Sequence, residues 1–133
     1  MIFADTSFWV ALRNSKDPRH PEASKLLRSV ADQTLVTSNH VRGETWTILR
    51  RRAGHGSAVG FLDDLARSRR VRVLGVTTTQ EDEALRWLRR RDEREYSFVD
   101  ATSFILMKAL RIHDALAFDR DFTAAGFRQL QPD

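Results

Sequence analysis

The chain opens with MIFAD (residues 1–5), an apolar run typical of a buried strand that ends at the carboxylate of Asp5. The same arrangement recurs near the other end of the chain, where Asp119 follows the run ALAF at residues 115–118. In parallel sheets, ligands bind beyond the carboxyl ends of the strands, near the switch in strand order. We therefore expect both acids at the ligand-binding edge of a parallel sheet.

Short β-like runs alternate with longer helix-like stretches, which favours an α/β domain with a mainly parallel sheet of about five strands. The predicted strands are Ile2–Asp5, Leu35–Thr37, Val71–Val76, Ala115–Phe118 and Arg128–Leu130. The predicted helices are Ser7–Arg13, His20–Ala31, Asn39–Arg52, Ser57–Ser68, Gln80–Arg91, Asp100–Leu110 and a short turn at Arg120–Ala125. No repeat, low-complexity tract or linker interrupts the pattern, so residues 1–133 are expected to form one domain.

Capping residues and glycines mark several of the helix ends. Ser38 or Asn39 is expected to be the N-cap of the third helix. Gly54 and Gly56 indicate the connection between the third and fourth helices, and Gly126 indicates the end of the last helical turn.

The composition indicates a soluble protein with a basic surface. The chain carries 22 Lys and Arg against 18 Asp and Glu, and nearly all of the basic residues are arginines. Because a guanidinium binds phosphate through a planar fork of donors, this balance mildly favours a nucleic-acid partner. The absence of cysteine excludes disulfides, thiolate zinc sites and cysteine nucleophiles. No signal peptide or apolar run of about 20 residues is visible, so we expect a cytoplasmic protein with no membrane segment.

Three further acids stand where an apolar or structural residue is expected. Asp100 follows an apolar pair, Asp121 lies two residues beyond Asp119, and Glu44 falls on a helical stripe with Val41, Thr45, Ile48 and Leu49. Carboxylates that converge at one sheet edge repel one another unless cations hold them together. Oxygen-only ligands favour hard cations such as magnesium or manganese over zinc. The acids are therefore candidate ligands of a metal site.

Each of these acids also has an ordinary structural interpretation. Asp5 and Asp100 could be N-caps of the helices that follow them. Asp119 and Asp121 could be turn residues, since aspartate readily bonds to nearby backbone. Glu44 is harder to explain in this way, because its helical register surrounds it with apolar neighbours.

Four motifs, taken in chain order, are more informative together than any one of them alone. They are IFADTS (residues 2–7), SNHVRGE (38–44), YSFVDA (96–101), and AFDRDF (117–122) followed by GF (126–127). In sequence and spacing they resemble the motifs of PIN-domain ribonucleases. More specifically, they resemble those of the VapC-type toxins of prokaryotic toxin–antitoxin pairs.

The resemblance implies a PIN-like, flavodoxin-like three-layer α/β/α sandwich and a magnesium- or manganese-dependent endoribonuclease. It implies that Asp5 and Asp100 are the main metal ligands, that Glu44 and Asp119 complete the catalytic set, and that Asp121 is a weaker ligand. Thr6 matches a small polar residue with a supporting role. The partners implied are an RNA substrate, a cognate antitoxin protein and a second copy of the chain in a homodimer.

An acidic centre that cuts RNA needs cations around it. The arginines at 50–52 lie at the end of the predicted helix that carries Glu44, and we expect them to contact a phosphate backbone. The alternative is a non-catalytic RNA-binding or regulatory module that keeps the same fold and arginines. The complete acid set favours the enzyme, because a degenerate relative would be expected to lose acids.

Overall fold

The computed structural model describes residues 1–132. Within them the strands are β1 (Ile2–Ala4), β2 (Leu35–Ser38), β3 (Val71–Leu74), β4 (Asp114–Leu116) and β5 (Arg128–Gln129). The helices are α1 (Thr6–Arg13), α2 (His20–Ser29), α3 (Asn39–Ala53), α4 (His55–Arg67), α5 (Thr78–Arg89), α6 (Phe98–Leu110) and α7 (Asp121–Ala124). All five predicted strands and all seven predicted helical segments are therefore present.

The five strands form one sheet in the order β3-β2-β1-β4-β5, and every neighbouring pair is parallel. The chain runs outward from β1 to β3 and then returns to β4, so the strand order switches between β1 and β4. Because such crossovers are right-handed, α1–α4 cover one face of the sheet and α5–α7 cover the other. Packing of α1 on α2 and α3, and of α6 on α5 and α7, agrees with this division. The predicted three-layer α/β/α fold is confirmed.

The core on the α5–α7 face is built around α6. Residues 100–107 of this helix are all buried, as expected for a helix whose surroundings are apolar on most sides. The ring of Phe104 lies 4.9 Å from that of Phe122 and 5.3 Å from that of Trp87, measured between centroids. These edge-on contacts fix α6, and therefore Asp100 near its start, against α5 and α7.

Several helix boundaries differ from the sequence-based prediction for identifiable reasons. Gly54 alone connects α3 to α4, with φ at +94°, and Gly56 lies inside α4. The predicted start of α4 at Ser57 was therefore two residues late. Helix α5 also begins two residues before the predicted Gln80, because Thr77 forms a capping box with Gln80.

Other boundary signals were correct. Ser38, rather than Asn39, is the N-cap of α3, and its hydroxyl accepts a hydrogen bond from the amide of Val41 at 3.0 Å. Gly126 follows α7 with φ at +101°, a conformation that glycine adopts without the strain other residues incur. Within residues 1–132, no helix combines the length and apolarity that a membrane crossing requires.

Truncation of Phe122 should be costly, because its fully buried ring contacts those of Phe3, Phe104 and Phe127. We expect Phe122→Ala to lower the free energy of unfolding by about 3–5 kcal/mol in urea titrations. Leu85→Ala, at a side chain that is 46% exposed, is the control and should change it by no more than about 0.5 kcal/mol. Equal losses in the two variants would contradict this account of the core.

Candidate active site

A cavity of about 470 Å³ opens at the carboxyl edge of the sheet, beside the switch between β1 and β4. All five acids singled out in the sequence line it: Asp5, Glu44, Asp100, Asp119 and Asp121. They come from four separate parts of the chain: beyond the ends of β1 and β4, in the second turn of α3 and in the first turn of α6. The structure thus brings the acids together, while their roles as ligands remain predictions.

Asp5 is 2% exposed and links β1 to α1. Its Oδ2 accepts hydrogen bonds from the amide of Ser7 at 3.2 Å and from the Ser7 hydroxyl at 2.8 Å. It is therefore an N-cap, as the structural interpretation expected, yet it also lines the cavity. Burial, with the charges of Asp119 and Asp100, raises the pKa of Asp5 to about 8.

Asp100 is not the N-cap of its helix, contrary to one interpretation of the sequence. Ser97 is the N-cap, and α6 begins at Phe98, two residues before the predicted start. Asp100 occupies the third position of a capping box: its amide donates to Ser97 Oγ at 2.9 Å, and its Oδ2 accepts from the Ser97 amide at 3.1 Å. Burial raises the pKa of Asp100 to about 7, and the charges of Asp119 and Asp121 contribute.

Asp119 and Asp121 lie where the chain leaves β4 and enters α7. Asp100, Asp119 and Asp121 each contribute a carboxylate oxygen to a group whose members lie within 4.8 Å of one another. Asp119 Oδ1 accepts from the amide of Asp121 at 3.0 Å, so the turn interpretation also holds locally. Burial raises the pKa of Asp119, and the charge of Asp121 contributes.

Three of the acids that line the cavity share one bonding pattern. Asp5, Asp100 and Asp119 each use a single carboxylate oxygen to accept a backbone N–H. Within residues 1–132, the second oxygen of each carboxylate has no hydrogen-bond donor. The backbone thus fixes each side chain, and the second carboxylate oxygen of each remains available to accept a bond from a ligand.

Glu44 lies on the wall of the cavity formed by α3, near Ile48 and Arg52. Its side chain is half-buried, in agreement with its position on the helical stripe. Glu44 forms no ion pair with any residue of the described chain, so no structural partner accounts for its position.

Arg94 is a site residue that the sequence did not reveal. It lies in the segment between α5 and α6, and its Nε donates to Asp121 Oδ1 at 2.5 Å. This arginine stands in the mixed charged run RRDERE (residues 90–95), where no periodicity distinguishes it from its neighbours. Only the folded arrangement shows that one cation of this run contacts the acidic group.

Ser7 and Thr6 provide polar support at the start of α1. The Ser7 hydroxyl donates to Asp5 and accepts from the amide of Phe118 at 3.0 Å, which ties the end of β1 to the segment that carries Asp119. Ser7 is thus engaged in positioning rather than exposed as a nucleophile. The Thr6 hydroxyl is buried against the cavity and has no hydrogen-bond partner within residues 1–132.

The residues present fit a hard divalent cation. The donors are carboxylate oxygens from several chain segments, and three of them are close enough to share one ion. In the part of the chain that the structure describes, no sulfur or imidazole lines the cavity. The unpaired Thr6 hydroxyl offers a partner for a water in the same cavity. The acids predicted from the sequence therefore form a chemically consistent candidate site for magnesium or manganese.

The family model of the PIN domain matches residues 2–128, nearly the whole of the chain. This match agrees with the parallel sheet, with the strand order and with the acidic cavity at the switch point. The chain therefore belongs to the PIN-domain family, as its four motifs predicted.

Within the PIN-domain family, the chain is similar to individual VapC proteins. Two curated relatives from two strains of Mycobacterium tuberculosis, each named 23S rRNA-specific endonuclease VapC20, are 53% identical over 133 residues, the full length of this chain and of each relative. The crystal structure of Mycobacterium tuberculosis VapC20, described as a sarcin–ricin loop cleaving toxin, matches with a TM-score of 0.93 and covers 99% of this chain and 100% of that one. The predicted resemblance to VapC-type toxins is confirmed.

The raised pKa values of Asp5 and Asp100 predict how the metal-free protein responds to pH. Both values lie above the ordinary value for aspartate, so the folded state binds more protons than the unfolded state between about pH 4 and about pH 8. Stability should therefore fall as the pH rises through this window. We expect a lower urea midpoint at about pH 8 than at about pH 5 when a chelator is present.

Asp5→Asn should remove a large part of this pH dependence, because the amide does not titrate. Asp63→Asn, at an exposed position on α4, is the control and should retain the full dependence. A stability profile of wild type that is flat or rises across the window would show that the buried carboxyls do not carry the protons assigned to them.

Proposed function

We propose that the chain is a metal-dependent endoribonuclease that hydrolyses RNA phosphodiester bonds and is the toxin of a toxin–antitoxin pair. The observation that carries the proposal is the convergence of five carboxylates on one cavity in a chain 53% identical to VapC20. Because that relative is named for 23S rRNA and described as cleaving the sarcin–ricin loop, we propose the same loop as the substrate here. Such a substrate places the chain's activity in the cytoplasm, with the ribosomes.

We assign the metal to the free carboxylate oxygens of Asp5, Asp100 and Asp119, with Glu44 placed to position water or hold a second ion. A bound magnesium or manganese ion supplies a water of lowered pKa and neutralises charge on the phosphate. The protein's own contribution is to hold these oxygens in place through the amides of Ser7, Ser97 and Asp121. Hydrolysis would leave a 5′-phosphate and a 3′-hydroxyl, as in the family.

Asp121 has a different assignment, because its carboxylate is engaged by Arg94. In this arrangement Asp121 is a weaker metal ligand and instead orients the Arg94 guanidinium. Arg19 lines the cavity itself, with its guanidinium carbon 5.2 Å from the centre of the Phe118 ring, and offers a cation to the substrate.

We also propose a cognate antitoxin as a protein partner. An apolar groove of about 190 Å³, lined by Trp9, Leu12, Leu27 and Phe61 among others, lies along α1, α2 and α4 and supports docking of a helix or extended segment. A homodimer remains our expectation from the VapC-type resemblance.

A cleavage assay on a sarcin–ricin stem-loop RNA, with magnesium or manganese, tests the proposal. We expect Asp100→Asn to lower kcat at least about a hundredfold, since metal-held charge contributes several kcal/mol to such transition states. Asp63→Asn is the control for the same chemical change at an exposed aspartate, and its activity should equal that of wild type. Circular dichroism of each variant confirms folding.

The same assay distinguishes the proposed enzyme from the alternative, a module that binds RNA without cleaving it. A non-catalytic RNA-binding module would bind the stem-loop but release no fragments with any divalent ion. RNA cleavage that persists in purified Asp100→Asn would refute the assignment of this residue.

The Arg94–Asp121 pair gives a prediction about metal affinity. Arg94→Ala removes a cation from the acidic group and releases the Asp121 carboxylate, so manganese should bind several-fold more tightly in isothermal titration calorimetry. Arg90→Ala, an exposed arginine of the same segment, should leave the affinity unchanged. Weaker manganese binding by Arg94→Ala would contradict competition between the guanidinium and the metal.

A further inference from the structure

A second cavity, of about 210 Å³, adjoins the acidic one. It lies between the end of α1 and the corner where α3 meets α4, and its lining includes Arg13, Asn14, Lys16, Arg52 and Ser57. Arg52 lines both cavities, so its side chain stands at their common border. We call this second space the basic cavity.

The charge of the basic cavity is largely uncompensated. No acidic residue among residues 1–132 lines it. Arg13 is paired with Asp64, but neither Lys16 nor Arg52 has an ion-pair partner within residues 1–132. Within the described chain, Lys16 and Arg52 are therefore two unpaired cations that line the basic cavity. The charged residues change from mainly negative in the acidic cavity to positive in the basic cavity.

The uncharged groups of the basic cavity are also arranged to donate. Asn14 Oδ1 accepts a hydrogen bond from the amide of Lys16 at 3.2 Å, which leaves the Asn14 NH₂ group free to donate. Ser57 adds a hydroxyl from the first turn of α4, a turn that holds no acidic residue. Cations and hydrogen-bond donors together define a site for an oxyanion of phosphate type.

We propose that the basic cavity binds a backbone phosphate of the RNA strand whose scissile bond lies in the acidic cavity. This inference rests on the proposed function and extends it to a second subsite. A strand crossing the acidic cavity carries phosphates on both sides of the cleaved bond, and the acids repel them unless cations lie next to them. Arg52, at the border, steers the strand from one cavity into the other.

The experiment compares two double variants that each remove two positive charges. Lys16→Ala/Arg52→Ala removes the free cations of the basic cavity. Lys25→Ala/Arg28→Ala removes two exposed cations of α2 that line neither cavity. Each is assayed for cleavage of the sarcin–ricin stem-loop, and for binding of the same RNA in an Asp100→Asn background, between about 50 and 200 mM salt.

For Lys16→Ala/Arg52→Ala we expect KM and the RNA dissociation constant to rise about tenfold and the slope of log affinity against log salt to decrease by about 1. The Lys25→Ala/Arg28→Ala variant should match wild type in KM, in the RNA dissociation constant and in the salt slope. Lys16→Glu, a single charge reversal at an exposed turn, should weaken binding further than Lys16→Ala if the effect is electrostatic.

Equal KM values and salt slopes in the two double variants, both folded by circular dichroism, would overturn the subsite. Failure of the proposed function gives a different result: wild type would then cleave no RNA, while the binding measurements would still report on the basic cavity. A loss confined to kcat would likewise overturn a phosphate-binding role.

Discussion

The site depends on holding mutually repelling carboxylates together at the point where the strand order switches. Nothing in the sheet itself attracts Asp5, Asp100 and Asp119 to one another, and burial opposes the charge of each. They are held because each belongs to a well-formed local motif: an N-cap, a capping box and an aspartate turn. The energy of these motifs and of the core behind them offsets the electrostatic cost, which a bound cation would lower further.

The same dual use of residues explains why a structural role for these acids does not exclude the predicted role as metal ligands. Asp5 caps α1 with one carboxylate oxygen and also lines the cavity. An aspartate at a helix start is therefore uninformative by itself. It becomes informative when the topology brings several such starts to one edge, as the parallel order of β1 and β4 does here.

Sequence patterns predicted the parallel sheet and singled out the five acids, because strand ends and helical stripes leave local signals, whereas the α/β/α layers were implied by the family resemblance. The details that failed depend on contacts between distant segments or on competition between neighbouring caps. Ser97 rather than Asp100 caps α6, and both assignments place an acceptor near the same amides. The contact of Arg94 with Asp121 spans 27 positions and leaves no periodic trace. The Ser7 bond to the Phe118 amide spans 111 positions and is equally invisible in the sequence.

Gly54 is the one-residue corner between α3 and α4, and it lies beside the two cavities. Glu44 and Arg52 lie on α3 before this corner, and Ser57 lies on α4 just after it. At a φ of +94° another residue type would be strained, so Gly54 lets α3 join α4 without a loop. The acidic cavity borders α3, and the basic cavity borders both α3 and α4. An RNA strand that occupied both cavities would therefore follow a wall formed by two directly joined helices.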